Sequence, residues 1–401
     1  MTRSIVFMCM GGVGHMQVLL PVVEGLRRRG CRIRVMTKPE FREKIEAAGA
    51  EFFDLFAEHP LEAADATSVP LPCRFVTFAA TYAAALAKTI SAWSPDLIIY
   101  DTFTVVAPVV ARLLDIPYVN VCPNHALVPA RTIAALQRDP RVAISPECVA
   151  AVARLRNEYG LREASPFFYV QALSPFLNLY CEPPEFLTAE DRAVFEPVEF
   201  FGCLPISATD PEAALPSRTE RNVYVSFGTG VFRYFESAAV AALSVIASTL
   251  AHEDVNLLVS LGGYRLEPAV RAGLDHPNVR VVDYVDQWRI LRETDVFITH
   301  HGINSTHESI FRGAAMISYP FFGDQPDLAR RCQELGLAVP LTAAPRAAVE
   351  ADVLRRAMAR LLDGHSEFAT RLAQARSWEL RTIGKRDAVL DRVLALIGAH
   401  P

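Results

Sequence analysis

No two of the chain's eight cysteines stand close enough to form a CxxC pair. They are scattered singly at Cys9, Cys31, Cys73, Cys122, Cys148, Cys181, Cys203 and Cys332, the usage of buried, reduced thiols in a cytosolic protein. Uninterrupted apolar runs of about 20 residues are also missing. The most apolar stretch, Leu97 to Leu114, is broken by Asp101, Pro108 and Arg112. The early apolar run Ile5 to Cys9 is short and enters a glycine turn, so it reads as a first strand and not as a signal peptide. Charge is sparse at 21% of residues with a net of -5, which argues against a nucleic-acid partner. Short repeats and low-complexity tracts are absent. A soluble, cytoplasmic protein without a transmembrane segment is the expectation.

What is abundant is apolar residue, 51% of 401, enough to fill large cores, and the length suggests about two domains. Short Val/Ile-rich runs alternate with longer helical patterns. In the first half the strands read as 4–9, 32–37, 97–100, 118–121 and 176–180, with helices at 17–29, 74–93 and 105–114. Continuous apolar runs of this kind belong to parallel strands covered on both faces. The segment 206–220, rich in Pro, Ser, Thr and charge, reads as a linker. After it strands recur at 222–226, 255–260, 279–282, 296–299 and 316–319. The fold class is therefore α/β, with two doubly wound, Rossmann-like domains facing across a cleft and ligands at the strand ends.

Four stretches of the second half carry chemistry. In "VFITHHGINSTHES" a strand ends at Thr299, Gly302 follows, and Asn304, Ser305 and Thr306 stand at a helix start, where free N–H groups and the helix dipole favour an anion. Plain N-capping is the alternative use of these residues. "VSFGTG", Val225 to Gly230, is a second strand-to-glycine turn able to admit phosphate oxygens. "VVDYVDQWRIL" brings Tyr284 and Trp288, and "FFGDQ" sets Asp324 beside Gln325. Base, diphosphate and polyol in one ligand describe a nucleotide sugar. His300, His301 and His307 lack the i,i+4 spacing of two metal ligands on one helical face, so no metal site is expected.

In this order the motifs resemble the UDP-glycosyltransferase superfamily of GT-B fold, bacterial macrolide-type natural-product enzymes included, over nearly the whole chain. The resemblance implies domains at 1–205 (acceptor) and 221–375 (donor), with a helix in 376–401 packing back on the first. Of the donor contacts, Thr229, His300, Asn304 and Ser305 would serve the diphosphate, Glu308 and Gln287 the ribose, Tyr284 and the Val285 backbone the uracil, and Asp324 and Gln325 the sugar, with Gly14 and Gly302 also in the donor site. Tryptophan is usual where Tyr284 stands, and proline where Asp286 stands. No two aspartates are separated by one residue, so the DxD metal motif of the other large glycosyltransferase fold is absent, and charge on the leaving diphosphate falls to helix N-termini, His300 and hydroxyls.

The opening turn "MGGVGHMQVLLP" places His15 where a helix starts, and "PDLIIYDTF" ends a strand at Asp101. Imidazole can accept a proton near neutral pH, and a carboxylate can orient it. Helix capping would use the same positions. The resemblance makes His15 the base and Asp101 its partner, inverting the anomeric carbon in one displacement. Phe75, Phe78, Tyr82, His125 and Phe168 would line the acceptor site, with core packing equally open to each aromatic residue. The expected partners are a nucleotide sugar, UDP-glucose foremost, and a small acceptor, with no cofactor and a monomer or weak homodimer. A nucleotide-sugar 2-epimerase and a catalytically silent sugar-nucleotide-binding partner protein are the competing readings.

Overall fold

The computed structural model describes residues 2–205 and 221–398. The expected linker, 206–220, lies outside the described residues. The chain divides into two compact units, one of Met1–Pro205 with Thr382–Pro401, the other of Ile206–Arg381. The return to the first unit thus falls at Thr382, not at 376.

The first unit holds a seven-stranded parallel sheet of β1 (Ser4–Met8), β2 (Arg32–Thr37), β3 (Glu51–Asp54), β4 (Leu97–Asp101), β5 (Tyr118–Cys122), β6 (Leu177–Tyr180) and β7 (Val198–Phe200). The spatial order is β3-β2-β1-β4-β5-β6-β7. The chain winds outward from β1 through β3, then resumes on β1's other side with β4. Parallel sheets of this type bind ligands beyond the carboxyl ends of the strands flanking that reversal. Here the flanking strands are β1 and β4, with Met8 opposite Tyr100. The helix Pro72–Ser91 packs its apolar face on Val106–Leu114 and Pro146–Asn157, building the core of this unit.

The second unit repeats the plan with six parallel strands, β8 (Asn222–Ser226), β9 (Asn256–Ser260), β10 (Val279–Val282), β11 (Val296–Thr299), β12 (Ala315–Ser318) and β13 (Ala338–Pro340). Their order is β10-β9-β8-β11-β12-β13, so the reversal lies between β8 and β11, where Ser226 sits opposite Thr299.

Three differences from the sequence expectations have local causes. The first helix begins at Val13, not Gln17, because Gly12 is still extended while its carbonyl already accepts Met16 N–H at 2.9 Å. His15 therefore stands inside the first helical turn. Strands β3, β7 and β13 went unread because three or four residues at a sheet edge carry no periodicity. The helix Val231–Leu250 is long and apolar enough to cross a membrane by length and composition alone. It buries Ala239, Ala242, Leu243, Ile246, Ala247 and Leu250, a single helical stripe, which is the pattern of a helix packed on a core.

The C-terminal helix Arg386–Ala395 lies on the first helix, Val13–Arg28. A Cβ on Gly25 would come within 2.4 Å of Leu390. Arg386 donates to the carbonyls of Phe201, Gly202 and Leu204.

Candidate active site

At the β1/β4 reversal two loops meet. Nδ1 of His15 lies 2.5 Å from Oδ2 of Asp101. Asp101 is the last residue of β4 and 1% exposed, whereas the His15 side chain keeps 17% of its surface. A carboxylate only accepts, so Nδ1 carries the ring proton and the lone pair of neutral imidazole sits on Nε2. The other carboxylate oxygen, Oδ1, is held twice, by Met10 N–H at 3.3 Å and by the hydroxyl of Thr104. Met10 N–H also reaches Thr104 Oγ1 at 3.1 Å. Phe103 lays its ring 4.8 Å from the imidazole, and Tyr169 meets Phe103 edge-on. Phe103 and Thr104 were not singled out from sequence. The signal available was their place in "DTFT", directly after the acid.

At the β8/β11 reversal three glycine turns converge. His300 inserts its ring between two of them: a Cβ on Gly228 would lie 2.6 Å, and one on Gly302 2.5 Å, from Nε2. Gly262, at the end of β9, packs so closely that its Cβ would meet the Gly228 carbonyl oxygen at 2.2 Å. Gly262 was also missed, although "SLGG" repeats the strand-to-glycine grammar of "VSFGTG". Burial lowers the His300 pKa to about 4, with only the Ser226 main chain opposing, and Nδ1 finds no well-formed hydrogen bond. In the unliganded protein the ring is therefore neutral near pH 7, so it can offer a phosphate oxygen an N–H but no full charge.

Beyond His300 begins the helix Ile303–Arg312, with Gly302 at its N-cap and no side-chain cap. The positive end of the helix dipole at this start suits an anion. Ser305 is buried and Asn304 half-buried in the first turn, and Thr229 is exposed at the facing turn. One helical turn on, Gln287 joins the row: its amide nitrogen donates to Glu308 Oε2 at 2.7 Å and lies 3.1 Å from Ser305 Oγ. Burial raises the Glu308 pKa to about 7, opposed by Gln287 and Arg312 and assisted by Asp286.

Tyr284 is 62% exposed, free to present its ring face. Val285 beside it is half-buried. Trp288 stacks on Phe311 at 5.4 Å and lies under Arg312 at 3.8 Å, so its ring is occupied by packing. Asp286 caps the short helix Gln287–Ile290 by accepting Arg289 N–H, which accounts for an acid where proline is usual. Phe322 reaches the turn at Gly230, setting the loop that carries Asp324 and Gln325 beside the turn that carries Thr229. Asp324 is half-buried there. Gln325 spends its carbonyl oxygen on the N–H groups of Phe321, at 2.9 Å, and Phe322, at 3.2 Å.

His301 and His307, the other two histidines of this stretch, bond within the second unit. His301, at φ +59°, bonds Thr306 at 3.1 Å and Ser318 at 2.8 Å. His307 is fully buried against Glu379, with Nδ1 and Oε1 2.5 Å apart. Phe75, Phe78 and Phe168 belong to the first unit's core, Phe78 with no exposed surface. Tyr82 is half-buried between Phe78 and His59, both 5.0 Å away. His125 is buried with Nδ1 2.8 Å from Glu182. Gly14 precedes His15 in the first helical turn.

Residues 204–374 match the family model described as UDP-glucoronosyl and UDP-glucosyl transferase. Residues 71–140 match the N-terminal domain described as erythromycin biosynthesis protein CIII-like. The oleandomycin glycosyltransferase of Streptomyces antibioticus is 28% identical over 389 residues, spanning 94% of this chain and 86% of its own. Among solved structures, the kitacinnamycin glycosyltransferase aligns with a TM-score of 0.77 at 22% identity, over 99% of this chain and 100% of its own. The calicheamicin glycosyltransferase CalG4 aligns at 0.75 and 24% identity, over 100% and 99%.

Proposed function

The chain belongs to the UDP-glucoronosyl and UDP-glucosyl transferase family of GT-B fold, and from that premise we propose that it moves a hexose from UDP-glucose or a close analogue to a hydroxyl of a natural-product acceptor, inverting the anomeric carbon. The observation that carries the mechanism is the 2.5 Å contact of His15 with Asp101 at a sheet reversal. Nε2 of His15 takes the acceptor proton as its oxygen attacks the anomeric carbon, and UDP departs from the opposite face. Asp101 holds the ring and stabilises the imidazolium that forms. Such a base contributes roughly 10²- to 10⁴-fold in rate.

The departing diphosphate is met by the first N–H groups of Ile303–Arg312, Asn304, Ser305, Thr229 and the N–H of neutral His300. Glu308 and Gln287 take the ribose, Tyr284 and Val285 the base, Asp324 and the Gln325 amide nitrogen the sugar. Metal-independent chemistry follows in this reading from those donors, which meet the charge of the leaving diphosphate in place of a cation. A macrolide-like acceptor is supported by the oleandomycin relative and by the CIII-like match.

The test supplies UDP-glucose with a panel of macrolides and aromatic polyketides and follows mass gain of one hexose, then the proton coupling of the new linkage. A β-glucoside from the α-linked donor is expected. Epimerised nucleotide sugar formed without acceptor, or UDP binding without turnover across the panel, would replace this function by one of its rivals.

A further inference from the structure

We propose that Thr104 is a positioning residue of the proton-transfer dyad, acting through Asp101 without touching substrate. Thr104 is wholly buried, and its Oγ1 accepts the Met10 N–H at 3.1 Å. The hydroxyl proton is thereby directed to its other neighbour, Asp101 Oδ1. Met10 N–H touches the same oxygen at 3.3 Å. The two carboxylate oxygens are thus assigned separate tasks: Oδ1 is anchored by two donors from β1's exit and from the turn after β4, and Oδ2 alone faces His15 at 2.5 Å.

The turn itself is built for this. Thr104 N–H returns to the Asp101 carbonyl at 2.8 Å, closing a tight turn that folds the hydroxyl back over the carboxylate of the residue three positions earlier. Val105 provides the N-cap position of the next helix and Thr104 makes no side-chain cap there, so helix capping does not explain the hydroxyl. Without it, Oδ1 keeps one long hydrogen bond, and the carboxylate can rotate so that Oδ2 leaves the imidazole. A hydrogen bond to a charged group in a buried setting is what holds such a rotamer.

The inference rests on His15 acting as base. Its test is therefore arranged so that the two fail separately. Protein carrying 15N-histidine is compared as wild type, His15→Ala, Thr104→Val and Thr104→Ser. The downfield proton of the His15 Nδ1–H bond is identified by its loss in His15→Ala. It should shift or broaden in Thr104→Val and return in Thr104→Ser. With UDP-glucose and oleandomycin, Thr104→Val should lower kcat about tenfold, with the UDP-glucose KM unchanged, and Thr104→Ser should restore most of it. An unaltered resonance in Thr104→Val overturns the proposal while leaving the dyad standing, as does equal damage in Thr104→Ser, which would mean methyl packing. Full turnover in His15→Ala would instead remove the dyad's role and Thr104's with it. If Thr104→Val fails to fold, Thr104→Ala against Thr104→Ser decides by the same resonance.

Discussion

Gln287 donates its side-chain amide to Glu308 at 2.7 Å, yet burial still lifts the Glu308 carboxyl to about 7. Ribose hydroxyls donate to the ionised form. As pH falls from 8 to 6 the ionised share drops from nearly all to about a tenth, so the Kd for UDP-glucose should rise about tenfold. UDP-glucose is the right probe because, unlike UDP, it has no terminal phosphate titrating in this range. Calorimetry should show the slope in wild type and its absence in Glu308→Gln. A flat wild-type profile would separate Glu308 from the ribose.

Gly262→Ala forces a Cβ to 2.2 Å from the Gly228 carbonyl at φ +64°. Relief requires moving the turn that carries Thr229, at a cost on the order of 2 kcal/mol. UDP-glucose affinity should fall about tenfold or more. Gly263→Ala, at φ +88° with nothing within 4 Å, carries the strain alone. It should lower thermal stability slightly and leave affinity unchanged. Equal effects on affinity would show that close approach at Gly262 is irrelevant.

Much of this was legible beforehand because the chemistry sits where strands end. The turn before His15, the acid closing β4 and the glycines after β8 and β11 are all local signals. What was not legible depends on residues distant in sequence. Nothing near His301 or His307 announces Ser318 or Glu379 as their partners, and only folding shows that three neighbouring histidines do three different things. Gln325 reads as a free amide until its oxygen is found tying down its own loop. Phe75, Phe78 and Phe168 share composition with a ligand pocket, and three-dimensional packing places them in the core.

Chelation should be harmless. Dialysis against EDTA is expected to leave transfer from UDP-glucose intact, since backbone N–H groups, hydroxyls and the His300 N–H are assigned the diphosphate. An absolute requirement for added magnesium or manganese would contradict that assignment.

Donor choice follows from the sugar loop. With its oxygen engaged, Gln325 has its N–H to offer, and the Asp324 carboxylate beside it is an acceptor, a pair that favours a donor sugar rich in hydroxyls. UDP-glucose should outcompete a dTDP-dideoxyhexose at equal concentration with one acceptor. Faster transfer of the deoxysugar would overturn the donor assignment and spare the His15 mechanism.

The central claim is that proton transfer and donor binding belong to different units, and His15→Ala measures it most directly. Turnover and UDP-glucose affinity are determined on the same preparation. Transfer should fall by roughly 10²- to 10⁴-fold while the UDP-glucose Kd stays within about twofold of wild type. Retained turnover, or loss of affinity in step with turnover, would contradict the account.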